Sequence, residues 1–252
     1  MRLGKRIAVV IPARDEEDAI ARVIGDIPDW VDETIVADNG SRDETAARAS
    51  AAGARVVAEP EPGYGGACMA GIAAIERADI LVFLDGDYSD YPDEMAELVD
   101  PILEDGADMV IGSRVTGERE AGSLTVPQQF GNWLATRLIA LIWRHRYTDL
   151  GPFRAIRKDA LDRLRMADRN YGWTVEMQVR AAEEGLRTTE VPVRYRQRIG
   201  VSKVSGTVSG SVKAGYKILY IIARQAMMRA FSGRTTGTSP AATSTQPRDS
   251  SL

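Results

Sequence analysis

The 252-residue chain has one cysteine and one histidine, the side chains most used for transition metals and for nucleophile–base pairs. Cys68 cannot form an intrachain disulfide, which suits a reducing, cytoplasmic compartment. Its small neighbours mark it as a packed hydrophobe rather than a nucleophile. His145 stands alone in a basic helical stretch, so neither a histidine-rich metal centre nor a triad needing another histidine can be assembled. No run of about 18 apolar residues is present, so no membrane-spanning helix is expected. The N-terminus offers Arg2, Lys5 and Arg6 and then a short apolar run broken by Pro12, too little for a secretion signal. Positive charge is not in excess either. A net charge of −4 argues against a nucleic-acid partner.

What remains is ordinary for a globular protein with a real core: 44% hydrophobic and 27% charged residues. Strand and helix patterns alternate. Ile7 to Ile11, Thr34 to Ala37, Arg55 to Ala58, Ile80 to Leu84 and Met109 to Ile111 read as strands. Glu16 to Ile27, Asp43 to Ala52, Gly63 to Ala78 and Pro92 to Glu104 read as helices between them. This rhythm predicts an α/β fold, a mostly parallel sheet with helices on both faces. Farther on, Pro127 to Arg146 reads as a helix apolar nearly all round, either buried or at an interface such as a homodimer contact. Phe153 to Ile156 is a short strand followed by a helix from Lys158. Thr174 to Glu184 is a helix, Glu190 to Arg196 a strand, and Val208 to Ala230 the last helix. One domain, residues 1–231, is expected. The Ser-, Thr- and Pro-rich stretch 232–252 should be a disordered tail.

The chain is organised around Asp79 to Pro92. A buried strand cannot keep two acids inside its sheet, so Asp85 and Asp87 must emerge at its C-terminal tip. Ligands bind at that tip in open α/β sheets. Two carboxylates there make a hard-oxygen site suited to Mg²⁺ or Mn²⁺ shared with phosphates. A lone Asp-x-Asp is equally compatible with a solvated acidic turn, and its neighbours decide. Polar clusters follow three further strands: Pro12-Ala13-Arg14-Asp15-Glu16, Asp38 and Arg114. Together they describe an elongated charged cleft. Pro62-Gly63-Tyr64-Gly65-Gly66 opens a helix whose free amides would favour a phosphate, or it is a flexible turn.

These segments have a family likeness. Ile11-Pro12-Ala13-Arg14-Asp15-Glu16-Glu17, Asp38-Asn39-Gly40-Ser41, Gly63-x-Gly65-Gly66-Ala67, Leu84-Asp85-Gly86-Asp87 and Gly112-Ser113-Arg114, in that order, resemble family two glycosyltransferases of the Rossmann-like GT-A fold. The likeness spans about residues 5 to 230 and is greatest to the dolichol-phosphate mannose synthase and polyprenyl-phosphate glycosyltransferase branch. It implies an inverting hexosyltransferase that uses a nucleotide-sugar donor and Mg²⁺ or Mn²⁺. It further implies that Pro12, Ala13 and Glu16 line the nucleoside pocket and that Asp38 contacts base or ribose. Gly63 and Gly65 would lie on the donor side. Asp85 and Asp87 would hold the cation, and through it Asp85 the diphosphate. Arg114 would sit near the donor phosphates or acceptor.

Three later segments carry further expectations. Asp149-Leu150-Gly151-Pro152-Phe153-Arg154 resembles the family's Asp-x-x-x-Gly-Phe-Arg stretch, with Pro152 as a departure. Tyr171 to Met177 resembles the segment that supplies an acceptor-side acid, here Glu176. Arg198-Ile199-Gly200-Val201-Ser202-Lys203 resembles the Arg-x-x-Gly-x-Ser-Lys loop over the donor phosphates. Developing charge on a diphosphate leaving group can be stabilised by cations, and Arg114, Arg154, Arg198 and Lys203 are candidates. A hydroxyl acceptor needs a general base, for which Asp149 and Glu176 are candidates. A phosphate acceptor needs none, and a buried ion pair is the alternative for either acid.

The acceptor expected from the branch is polyprenyl phosphate at the inner face of the cell membrane, with the enzyme cytoplasmic or peripheral there. Lys213, Lys217 and Arg224 on the last helix form a basic amphipathic pattern that suits an anionic surface. The rivals are a soluble transferase for a small hydroxyl acceptor, a nucleotidyltransferase and a non-enzymatic nucleotide-binding module. A nucleotidyltransferase should carry a Gly-rich, cationic loop after the first strand, where this chain has Pro-Ala-Arg-Asp-Glu-Glu.

Overall fold

The structure, a computed structural model, describes residues 1–200 and 208–235, with side chains of the final helix described over 215–229. Seven strands form one sheet: β1 (Ile7–Ala13), β2 (Glu33–Asp38), β3 (Arg55–Ala58), β4 (Ile80–Phe83), β5 (Met109–Ser113), β6 (Arg154–Arg157) and β7 (Thr188–Pro192). Their spatial order is β3-β2-β1-β4-β6-β5-β7. All pairings are parallel except those of β6, which runs antiparallel to both β4 and β5. The reversal puts the start of β6 beside the C-terminal ends of its neighbours, with Arg154 opposite Phe83 and Ile111.

The helices are α1 (Ile20–Gly25), α2 (Thr45–Ala51), α3 (Tyr64–Ala74), α4 (Met95–Leu103, led by a 3-10 turn Pro92–Glu94), α5 (Val126–Trp143), α6 (Lys158–Leu164), α7 (Trp173–Glu183) and α8 (Val208–Thr235). One core layer packs Ile20, Val23, Leu98 and Val99 of α1 and α4 on one face of the sheet. The other packs Cys68, Ile139, Leu161, Val175 and Ile221, from α3, α5, α6, α7 and α8, on the opposite face. β1 and β4 are buried along their whole length, as central strands covered on both faces must be.

Several element bounds differ from expectation: β7, expected at Glu190–Arg196, spans Thr188–Pro192, and α3, expected to reach Ala78, ends at Ala74. α1 begins at Ile20, because residues 14–18 form a bonded loop in which Glu16 N–H donates to Thr45 Oγ1. α8 continues through Thr235, past the Ser232 boundary; Pro240 is the first proline after it. Residues 236–252 lie outside the described residues.

Candidate active site

The β4 tip turns sharply. Gly86 permits this, since a Cβ there would lie 3.3 Å from Ala13 Cβ and 3.4 Å from Ile11 Cγ2. Tyr88 takes φ +65°, a left-handed conformation uncommon for a non-glycine residue and frequent at functional turns. The turn sets three carboxylates close together. Asp85 accepts the Tyr64 hydroxyl at 3.0 Å. Asp87 accepts the Ser89 amide at 2.9 Å and its hydroxyl at 2.5 Å. Asp90, 1% exposed, accepts the Asp85 amide at 3.3 Å, and its Oδ1 is buried without a hydrogen-bond partner. Burial, and then repulsion from Asp87, pushes the Asp85 carboxyl up to about 7. Burial, with Asp85 and Asp87 nearby, raises Asp90 as well.

Residues 195–199 are strapped along this turn. Arg196 N–H donates to Ser89 O and Ile199 N–H to Asp87 O, each at 3.0 Å. The strap delivers Arg198, whose guanidinium bridges Glu16 at 2.5 Å and Asp87 at 3.2 Å. Its Nε is buried without a partner. Asp85, Asp87 and Arg198 stand between two cavities and line both.

The smaller cavity, about 330 Å³, is walled by Pro12, Ala13, Glu16, Asn39, Gly63 and Tyr64. The larger, about 570 Å³, is walled by Arg114, Gln128, Asn132, Leu150, Tyr195 and Ile218. Thus Pro12, Ala13, Glu16, Gly63, Asp85, Asp87 and Arg198 converge from distant sequence positions on one wall. Asp38 does not line the cavity; its Oδ1 accepts the Ser41 amide at 3.2 Å, and Asn39 beside it faces the space. Asn39 also braces the loop, donating to Glu59 O and Glu61 O and accepting the Gly63 amide at 2.8 Å.

The glycine-rich opening of α3 differs from expectation. The Gly66 amide donates to Arg169 O at 2.8 Å and the Gly65 amide to Asn170 O at 3.2 Å. A Cβ on Gly65 would sit 1.9 Å from Asp168 O. These glycines admit a neighbouring backbone rather than a phosphate, and Gly65 lies outside both cavities.

The acceptor-side acids are ion pairs. Asp149, fully buried, accepts Arg114 Nε and Nη2, each at 2.7 Å, and the Arg114 amide at 2.8 Å. Burial favours its neutral form, but the Arg114 charge outweighs that and the carboxyl lies below its ordinary value. Glu176, also fully buried, accepts the Asp168 amide at 2.7 Å, the Ala167 amide at 3.0 Å and Arg180 Nε at 2.9 Å. Neither acid lines a cavity. Arg154, 1% exposed, donates to Leu150 O, Gly151 O and Thr174 O, so it organises the 150–153 loop and does not reach the cleft. Lys217 turns inward to Asp168 at 2.7 Å. Ser202 and Lys203 lie outside the described residues. Tyr64, Asn39 and Asp90 were missed as site residues. The one sequence signal for Asp90 was its place in a turn already holding two acids.

The donor chemistry at the β4 tip suits a divalent cation: hard carboxylate oxygens crowded enough to repel one another, one of them unpartnered. Among the described residues no three or more acid, imidazole or thiolate side chains form a closed metal cage. Asp85 and Asp87 can therefore supply part of a coordination sphere, the rest coming from substrate oxygens and water.

A family model described as glycosyl transferase family 2 matches residues 8–165, from β1 through α6. The chain belongs to that family. An uncharacterized glycosyltransferase of Mycobacterium tuberculosis is 38% identical over 219 residues, covering 84% of this chain and 95% of that one. A dolichyl-phosphate hexose transferase of Haloferax volcanii is 32% identical over 210 residues, covering 81% and 89%. Among solved structures, glucosyl-3-phosphoglycerate synthase of Mycobacterium tuberculosis superposes with a TM-score of 0.72 at 27% identity, covering 88% of this chain and 80% of that one. That crystal holds Mn²⁺, uridine diphosphate and glucosyl-3-phosphoglycerate. The fold is GT-A, the protein is a glycosyltransferase enzyme, and its relatives include the polyprenyl-phosphate branch.

Proposed function

We propose that this family 2 enzyme transfers a hexose from a nucleotide-sugar donor to a polyprenyl phosphate, with inversion at the anomeric carbon. The smaller cavity takes the nucleoside, against Pro12, Ala13, Glu16 and Asn39. Asp85 and Asp87 hold Mg²⁺ or Mn²⁺, which when bound neutralises the donor diphosphate. Arg198, already at the acidic turn, is placed to move onto that diphosphate as charge develops on the leaving group. Ser202 and Lys203, outside the described residues, contribute to binding the same diphosphate in this reading. Arg114, held charged and oriented by Asp149, faces the larger cavity and receives the acceptor's phosphate. Asp149 and Glu176 act here as positioning residues.

The observation that carries the acceptor choice is the lack of a free base. Among the described residues lining the larger cavity, the acids are Asp85 and Asp87, both assigned to the cation. The acids otherwise expected to serve, Asp149 and Glu176, are committed to arginines and backbone amides. A phosphate acceptor is already an anionic nucleophile and needs no proton removed. The likeness to glucosyl-3-phosphoglycerate synthase favours a second reading, transfer to a small hydroxyl acid.

Purified full-length protein with UDP- and GDP-hexoses and Mn²⁺ separates the two. Product on detergent-dispersed polyprenyl phosphate, with none on 3-phosphoglycerate, is expected. The reverse pattern would replace the first reading with the second.

A further inference from the structure

Outside the cleft, the outer surface of α5 and α8 exposes several large apolar side chains. These helices lie side by side and run the same way. Pro127 and Gly131 of α5 share the larger cavity with Gly215 and Ile218 of α8, and farther along Arg229 Nη1 donates to Ile142 O at 3.3 Å. Each helix buries one stripe, Ala135 and Ile139 on α5, Ile221 and Ile222 on α8. The opposite stripes are apolar too. Phe130, Trp133, Leu141, Tyr216, Tyr220 and Met227 are between 46% and 79% exposed. Phe130 and Trp133 stand three residues apart and Tyr216 and Tyr220 four, and Leu141 and Met227 follow about two turns on with Arg137 and Arg224 between, so each set lies on one outer face.

Charge is as uneven as hydrophobicity. The two helices carry six of the chain's 32 basic residues and none of its 36 acidic ones. The remainder holds 26 basic against the 36 acidic, so by sequence the α5–α8 side is the basic one, with Lys217 turned inward to Asp168. Arg137 and Arg224 are exposed within that side.

We infer that the outer face of α5 and α8 docks on an anionic lipid bilayer, lying in its interface. Rings with a polar edge, Trp133, Tyr216 and Tyr220, suit the headgroup boundary, and arginines among them suit anionic headgroups. No helix among the described residues is long and apolar enough to cross a membrane, so contact of this face is in-plane. A second copy of the chain fits less well. A two-fold interface sets the same patch against itself, which would oppose arginine to arginine with no acid on either helix to pair them. The face also adjoins the larger cavity, whose wall includes the first turn of α5 and Ile218 of α8. Docking would thus present the cavity mouth to the lipid surface. This deepens the polyprenyl-phosphate reading by naming the side that meets the membrane.

Flotation of the full chain with vesicles tests it. The protein should float with phosphatidylglycerol–phosphatidylcholine vesicles at low salt, and little with phosphatidylcholine alone. Each basic residue near an anionic surface contributes roughly a factor of five in partitioning, so Arg137→Glu/Arg224→Glu should weaken it by more than about a hundredfold. Phe130→Ser/Trp133→Ser should weaken it on both lipid compositions. These four side chains line neither cavity, so turnover with detergent-dispersed acceptor should persist, which also verifies folding.

Wild-type protein that stays unbound at low salt overturns the inference, as do variants that float like wild type. So does a dimer, seen by light scattering, that Phe130→Ser/Trp133→Ser dissociates while vesicles remain unbound. Flotation without turnover of any polyprenyl phosphate would leave the docking face standing and remove the acceptor reading instead.

Discussion

At the scale of single residues, the acidic turn depends on a phenol. Tyr64 reaches across from the start of α3 to hold Asp85 in place, and burial pushes its own hydroxyl far above its ordinary value, so it stays a donor. A hydrogen bond to a charged partner contributes about 1.5–3 kcal/mol. Tyr64→Phe should therefore lower kcat/KM about 10- to 100-fold and raise the Mn²⁺ concentration needed for half-maximal rate, with circular dichroism unchanged. Unaltered metal dependence would remove Tyr64 from the site. Glu176 belongs to another class. It ties the 167–168 backbone to Arg180 under the cleft, and breaking a buried pair by removing one charge costs about 3–5 kcal/mol. Glu176→Gln keeps the shape and some hydrogen bonding, so a loss near the lower end is expected in urea unfolding, with kcat of the folded fraction near wild type. A collapse of kcat at full stability would restore Glu176 as a base.

At the scale of elements, the helices departed from expectation more than the strands. Strand residues were legible because β-branched runs end where acids begin, and burial forbids the acids from staying inside. Only β6, a short run of ambiguous direction, had an orientation that sequence does not encode. The glycine-rich start of α3 looked like a phosphate cradle because glycine amides at a helix start are usually free. Here the carbonyls of Arg169 and Asn170, about a hundred positions away, accept the Gly66 and Gly65 amides, and no local pattern reveals that. Gly65→Ala should consequently destabilise strongly, since its Cβ would meet Asp168 O at 1.9 Å. Overpacking typically costs about 1–3 kcal/mol, and a backbone obstacle places this case at or above the top of that range. A denaturation midpoint like that of wild type would contradict the packing described. α5 read as apolar nearly all round, and apolar side chains lie on both its buried and its exposed stripes. One stripe of it serves the core and the other remains on the surface.

At the scale of the whole molecule, two organising asymmetries meet. The cleft runs along the C-terminal ends of the parallel strands, and one end of it opens beside the basic, aromatic α5–α8 face. Surface charge attraction is screened over about 10 Å at 0.1 M salt. Turnover of polyprenyl phosphate embedded in anionic vesicles should thus fall as ionic strength rises, while turnover of the detergent-dispersed acceptor changes little. Equal salt responses would argue that catalysis proceeds without electrostatic docking.

By itself the sequence determined the alternation of strands and helices, the exit of Asp85 and Asp87 at a strand tip, and the family. Those follow from local rules: periodicity, the cost of burying charge, and motifs in order along one chain. Tertiary structure alone decided which charges reach the cleft. In sequence Glu176, Arg154 and Lys217 are charges like Arg114 and Arg198, yet those three are spent on ion pairs or carbonyls away from the cleft, whereas Arg114, paired with Asp149, and Arg198, paired with Glu16 and Asp87, line it. A charge's partner is a matter of distance in space, and the partners of Arg114 and Glu16 stand 35 and 182 residues away.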